Sequence, residues 1–441
     1  MRKIFLFAAA LLCSANLFAD QLIGGINYSL DDEKLEATVV AKGQRYSGDV
    51  TIPATVEYDA KTYNVVEIGV IAFKDCVDMT SITLSEGLKT IGYGAFWNCD
   101  KLTTVAIPST VTKISGSAFE DCNELAEFTL PNTVTDVGLF MFDGDNKLTQ
   151  PVYNNTFFAY MPNSDVGDYT IPDGITTILA RFKGCTELTS FTMPNSVEWM
   201  ISSAFEDCDK LESVTLSENL YNIEASTFGG CIKLQSVTIP ASVTEIGEFA
   251  FIACSELASV TLKEGLQKIG TGAFAGCAFT SITFPSTLQS IASDAFTDCN
   301  ELTEVVLPEG LTSIREYAFE GCDKLHKVTL PSTLTELPYS FLNCSALDTM
   351  IVNMATPLDI SADMFDGVNI ASCKLFVPAG SVTQYTTADV WKDFDVQPIS
   401  NIPTALDNTA ADTKAIKRLV NGQLLIEKNG KIYNALGVEV K

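Results

Sequence analysis

Apolar positions along this chain recur on a fixed stride. The turn that begins at Cys231 shows it in full: Leu234, Val237, Ile239, Pro240, Val243, Ile246, Ala250 and Phe251, with Cys254 opening the next. Val237-Thr238-Ile239 alternates with period 2 and predicts a short strand, Val237 and Ile239 on one face and Thr238 on the other. Pro240 has no N–H to give to a ladder and ends that strand. One such unit cannot bury its apolar edge alone. Stacked copies bury it against each other and share a continuous core.

Cysteine and phenylalanine mark the copies. Cys76, Cys99 and Cys122 stand 23 residues apart, Cys185, Cys208, Cys231, Cys254 and Cys277 continue at 23, and Cys299, Cys322 and Cys344 follow at 22, 23 and 22. A phenylalanine precedes each by three positions, from Phe73 to Phe341, and Phe142 with Asp145 marks one turn that lacks its cysteine. The spacing predicts an α/β-type repeat solenoid, mostly β: a right-handed stack of 23-residue turns over residues 67–372, with a parallel sheet on one face. Between Leu148 and Tyr169 the period lapses, which predicts a longer, irregular turn.

The recurring Leu-x-x-Val-x-Leu-Pro-x-x-Val-x-x-Ile-x-x-x-Ala-Phe-x-x-Cys resembles the BspA-like subfamily of leucine-rich repeats, over roughly residues 46–398. Commoner leucine-rich repeats carry an Asn ladder after the strand. Here Thr110, Thr133, Ser196, Ser242, Gly265, Thr287 and Gly310 occupy that place, and only Asn219 matches, so the loop hydrogen bonds must be supplied differently. The resemblance extends to an N-terminal β-hairpin cap over 20–66 and a closing strand and cap over 373–398. Exposed sheet edges at the ends of a stack need such covers. A linker over 399–414 follows. In 415–441 the pairs Asn421-Gly422 and Asn429-Gly430 separate apolar runs and predict a small β meander, which resembles a type IX secretion sorting domain. The family resemblance implies adhesion to host extracellular-matrix proteins or to other cells.

Composition narrows the partners. An apolar fraction of 46% supplies a core, so global disorder is excluded. A formal net charge of −27 repels phosphate backbones and anionic lipid, so neither nucleic acid nor a membrane surface is an expected partner. Arg2, Lys3, the apolar run Ile4 to Leu12 and the small Ala19 predict a signal peptide over 1–19. No other apolar run is long enough to span a bilayer, so the expectation is a monomer that is secreted or displayed on the outer surface of a Gram-negative cell. The cysteine spacing fits no zinc motif, and stacked positions lie too far apart for disulfides; the expectation is buried free thiols and no metal.

Catalytic patterns are not found. The single histidine, His326, falls at a variable strand-flanking position, and no nucleophile elbow or phosphate loop is present. Asp143-Gly144-Asp145 lacks the further oxygens of a calcium loop. No cofactor is expected. The informative surface is the outward strand face. Thr83, Thr129, Thr170, Thr192, Thr215, Thr238, Thr261, Thr283 and Thr329 form one row, broken by Ala106 and Val306. Ser81, Thr104, Ser190, Ser213, Ser236, Ser259 and Ser281 form a second. Threonine suits any exposed strand. As a continuous hydroxyl-lined sheet, however, the face centred on Thr192, Thr215, Thr238, Thr261, Thr283, Ser213, Ser236 and Ser259 is the candidate binding surface. The reading is a non-enzymatic adhesin, with a glycan- or peptide-capturing protein as the alternative.

Overall fold

The computed structural model describes residues 20–41, 43, 45–144, 147–162, 166–182, 185–402, 416–420, 423–428 and 431–434. The expected signal peptide, most of the linker and both Asn-Gly pairs lie outside them. The chain divides into two compact units, Met1–Phe279 and Thr280–Lys441.

The first unit opens with antiparallel pairs. Gln21–Ile23, Ile26–Asp31 and Glu36–Val39 form a meander, and Thr55–Tyr58 turns back on Lys61–Ile68. From there most turns contribute to two parallel ladders. The first joins Ser47–Ile52, Asp78–Leu84, Thr104–Val105 and Glu127–Phe128. It starts afresh at Asp168–Thr170 and runs through Ser190–Thr192, Ser213–Thr215 and Ser236–Ile239 to Ser259–Leu262. The second ladder is built from the Ile positions of the stride, such as Ile91, Ile114, Ile223 and Ile246. The mostly-β solenoid with its 23-residue stride is therefore present, with two parallel ladders along the stack.

The third side of each turn, around Ala-Phe-x-x-Cys, is not helical, and its backbone hydrogen bonds close in an alternating scheme. Ser226, Phe228 and Gly230 donate N–H to the next turn, to the carbonyls of Glu248, Ala250 and Ile252 at 2.7–2.8 Å. Gly229 and Cys231 instead donate three residues back, to Ser226 and Phe228, both at 3.1 Å. This scheme places Ser226 (φ 53°) and Gly230 (φ 75°) in the left-handed region. The position just before the cysteine holds Asp75, Asn98, Asp121, Asp207, Gly230 and Gly276, residue types that tolerate this conformation. Ala253 is an exception, at φ 57°.

Inside, the phenylalanines stack. Phe205, Phe228, Phe251 and Phe274 follow one another at 5.2 Å between centroids, within 12° of parallel. The twelve cysteines among the described residues are buried, and none is in a disulfide. Along the stack, thiols donate to the phenylalanine carbonyl one turn earlier, as Cys231 does to Phe205 and Cys254 to Phe228, both at 3.1 Å. The small buried residue is thus also a polar clasp between turns. The hydroxyls at the missing Asn position clasp the opposite corner. Thr110 Oγ1 accepts from Gly87 N at 2.9 Å and donates to Leu88 O at 2.7 Å, and Ser242 Oγ donates to Leu220 O at 2.7 Å.

The second unit repeats the scheme. Glu304–Val306, Lys327–Leu330, Thr349–Val352, Lys374–Val377 and Asp395–Pro398 form its first ladder. Trp391, Tyr385, Phe365 and Phe394 meet in an aromatic cluster beside it, anchored by Trp391 Nε1 donating to Leu358 O at 2.8 Å. Ile416–Val420, Gln423–Lys428 and Lys431–Asn434 form a three-stranded antiparallel sheet.

Candidate functional site

The restarted first ladder assembles most of the candidate face within the first unit. In register, Ser190, Ser213, Ser236 and Ser259 oppose one another across four strands. Thr170, Thr192 and Thr215 align likewise, as do Thr238 and Thr261. Because the intervening Phe191, Val214, Val237 and Val260 point into the core, the hydroxyls point out. Thr215, Thr238, Thr261, Ser213, Ser236 and Ser259 are exposed, and Thr192 is half-buried.

The serine row begins on a carboxylate. Asp168 accepts from Ser190 Oγ at 2.6 Å and Thr189 Oγ1 at 3.1 Å, and these hydrogen bonds hold its carboxyl below the usual range. Asp49 takes the same place in the earlier ladder, accepting from Ser81 at 2.6 Å and Thr80 at 3.1 Å. Neither role was visible in the sequence reading, because each depends on which strand opens a ladder.

Charges beside the face are paired from turn to turn. Lys210 meets Glu187 at 2.6 Å, Lys233 pairs with Glu256, and Lys263 reaches across two turns to Glu218 at 2.8 Å. The first two pairs occupy the position two after the cysteine, where Lys101 and Asp78 also pair at 2.5 Å. The 23-residue spacing carried this signal: opposite charges one period apart become neighbours.

Thr283 does not join this sheet. It belongs to the second unit, where it is exposed and Ser281 bridges to Glu304. In that unit the outward row changes chemistry. Val306, Thr329 and Ile351 stand in register, and Val306 is 52% exposed. The hydroxyl face therefore has its longest run from Thr170 to Thr261.

His326 is exposed and uses its backbone to hold neighbouring turns, donating to Thr303 O at 3.0 Å. Among the described residues no cluster of three or more His, Cys, Asp or Glu is arranged to hold a metal ion. No helix among them is long and apolar enough to cross a membrane.

Residues 57–162, 154–280 and 267–386 match the family described as BspA type leucine rich repeat region, in six copies. No curated protein matches. Among solved structures, the pneumococcal vaccine antigen PcpA is similar at 22% identity, with 87% of this chain and 98% of that one covered and a TM-score of 0.51. A leucine-rich repeat protein from Bacteroides ovatus aligns at 24% identity over 86% of this chain and 99% of its own, with a TM-score of 0.43.

Proposed function

Since the chain belongs to the BspA-type leucine-rich-repeat family, we propose that it is a non-enzymatic, exported binding protein, an adhesin that contacts host extracellular-matrix proteins or other cells. The observation that carries this reading is the in-register hydroxyl sheet from Thr170 to Thr261. Equivalent groups repeat at the strand spacing of about 4.8 Å, so an extended ligand meets the same modest hydrogen bond many times. Such contacts add along the face. Export rests on the leader-like residues 1–19, and attachment to the outer surface of a Gram-negative cell on the sorting-domain resemblance of the tail.

Replacing Thr215, Thr238 and Thr261 together with Lys tests it. These side chains point outward, so the fold survives while bulk and charge block the face. Binding of the full chain to an immobilised basement-membrane preparation should fall at least about tenfold, or about 1.4 kcal/mol. Undiminished binding by the folded triple variant would remove the hydroxyl sheet as the site.

A further inference from the structure

The first ladder of the first unit is broken at one place. Pro151 stands 23 residues after Phe128, which stands 23 after Val105, so a proline occupies an inward strand position. It has no N–H for the ladder, and among the described residues the strand Glu127–Phe128 pairs with Thr104–Val105 alone. The chain instead folds back on itself. Val152–Tyr153 pairs antiparallel with Phe157–Tyr160, Val152 opposite Tyr160 and Tyr153 opposite Phe158. The hairpin is pinned by buried Asn154. Its Nδ2 donates to Pro131 O at 3.1 Å and Val134 O at 3.0 Å, while its Oδ1 accepts from Thr156 N at 2.9 Å and Phe157 N at 2.8 Å.

The gap left in the outward sheet is a cleft of about 510 Å³, within the range of small-ligand sites. Its working surface is Thr129, Gln150, Tyr153 and Tyr169, floored by Phe128 and Val152. Tyr153 is 44% exposed, and its ring lies parallel to buried Phe158 at 5.9 Å and 8°. The other two rings of the lining are engaged: Tyr169 stacks on Phe191 at 6.2 Å, and Phe128 meets Phe142 edge-on at 4.8 Å. Gln150 and Thr129 are exposed at the rim. Among the described residues lining the cleft none carries a charge, on a chain whose net charge is −27.

We propose that this cleft binds a neutral saccharide, with Tyr153 as the stacking platform and Gln150 and Thr129 as partners for the sugar hydroxyls. A sugar ring has a C–H face that packs on the electron-rich face of an aromatic ring. Its edge carries hydroxyls that both donate and accept, and a primary amide and a hydroxyl do the same in return. The described lining offers no cation for an anionic sugar. An organic cation is best held by several open ring faces together, and a polyproline segment by a groove with more than one aromatic ridge. Here one exposed ring, that of Tyr153, stands beside neutral hydrogen-bonding groups. The site stands on these residues alone and does not require the outward threonine row to bind anything.

Isothermal titration of the full chain with three neutral pentasaccharides, built from β-1,4-glucose, α-1,4-glucose and β-1,4-N-acetylglucosamine, tests this, with decaproline and tetramethylammonium as competing probes. At least one pentasaccharide should bind saturably. Tyr153→Ala should weaken it at least about tenfold, Tyr153→Trp should keep it, and Gln150→Ala should weaken it. The triple lysine variant of the threonine row should bind that sugar as the wild type does, which separates this site from the sheet face. The proposal is overturned if no pentasaccharide binds, if Tyr153→Ala leaves affinity intact, if the triple lysine variant loses it, or if decaproline or tetramethylammonium binds in a Tyr153-dependent way.

Discussion

The strands from Ser190 to Leu262 and the segment from Gln150 to Tyr169 belong to the same unit and obey opposite rules. In the first, each turn donates to the next through an unbroken register, and side chains 23 residues apart become neighbours. In the second, a proline at an inward strand position stops the ladder, and a hairpin fills the turn. Repetition produces a flat face of equivalent hydroxyls. Interruption produces the concave place where different side chains converge. A repeat protein can thus hold two kinds of surface without a second fold.

The largest expected effect separates the two regions by stability. Phe228 sits between Phe205 and Phe251 with no exposure, so Phe228→Ala should cost about 3–5 kcal/mol through lost burial and a cavity. Tyr153→Ala, at the hairpin, and Thr238→Ala, on the face, should each cost far less, because those side chains are exposed. Equal shifts of the denaturation midpoint for all three would erase the distinction between stack and surface.

A smaller effect compares two thiols. Burial pushes Cys254 up to about 12 and Cys185 up to about 11. Cys254 donates to Phe228 O at 3.1 Å, whereas Cys185, next to the interruption, reaches only Pro162 O at 3.7 Å. Both folded values lie above the ordinary thiol value of 9.0, so the unfolded chain loses its protons first. Their contribution to stability is complete below pH 9 and is lost as pH rises through 11 to 12. Alkylation of the native protein at pH 9–10, followed by peptide mass spectrometry, should label Cys185 before Cys254. The reverse order would mean that the regular stack opens more readily than its defect.

The smallest effect concerns the charge rungs. Lys233 and Glu256 are a solvent-exposed pair, and pairs of this kind add little. Lys233→Ala should leave the denaturation midpoint unchanged within error, in contrast to Phe228→Ala one turn-segment away. A clear loss would make the rungs part of what holds the turns together.

The Phe and Cys period made the stack legible because equal spacing in sequence becomes adjacency in space. Val237 and Ile239 showed which strand face is inward, and hence that Thr238 faces out. The hydrogen-bonding of the third side was not legible as a scheme, although the Asp, Asn and Gly before each cysteine were its signal. Thr110 and Ser242 stood out only as departures from an Asn ladder; their inter-turn clasps depend on loop backbone that the pattern does not specify. Pro151 could have been read as a ladder stop, but the hairpin that replaces the strand depends on Asn154 reaching Pro131 and Val134 across the turn. Thr283 matched the row by spacing and yet falls in the second unit, since spacing does not reveal where a stack divides.

The central claim is that the sheet from Thr170 to Thr261 binds through neutral hydroxyls rather than through the acidic remainder of the surface. The direct measurement is the affinity of the full chain for the immobilised basement-membrane preparation between 50 mM and 500 mM salt. Hydrogen bonds on a low-charge sheet are weakly screened, so the dissociation constant should change by less than about threefold. A weakening of about tenfold or more across that range would show that acidic side chains meet a basic partner, and would contradict the assignment of the hydroxyl face.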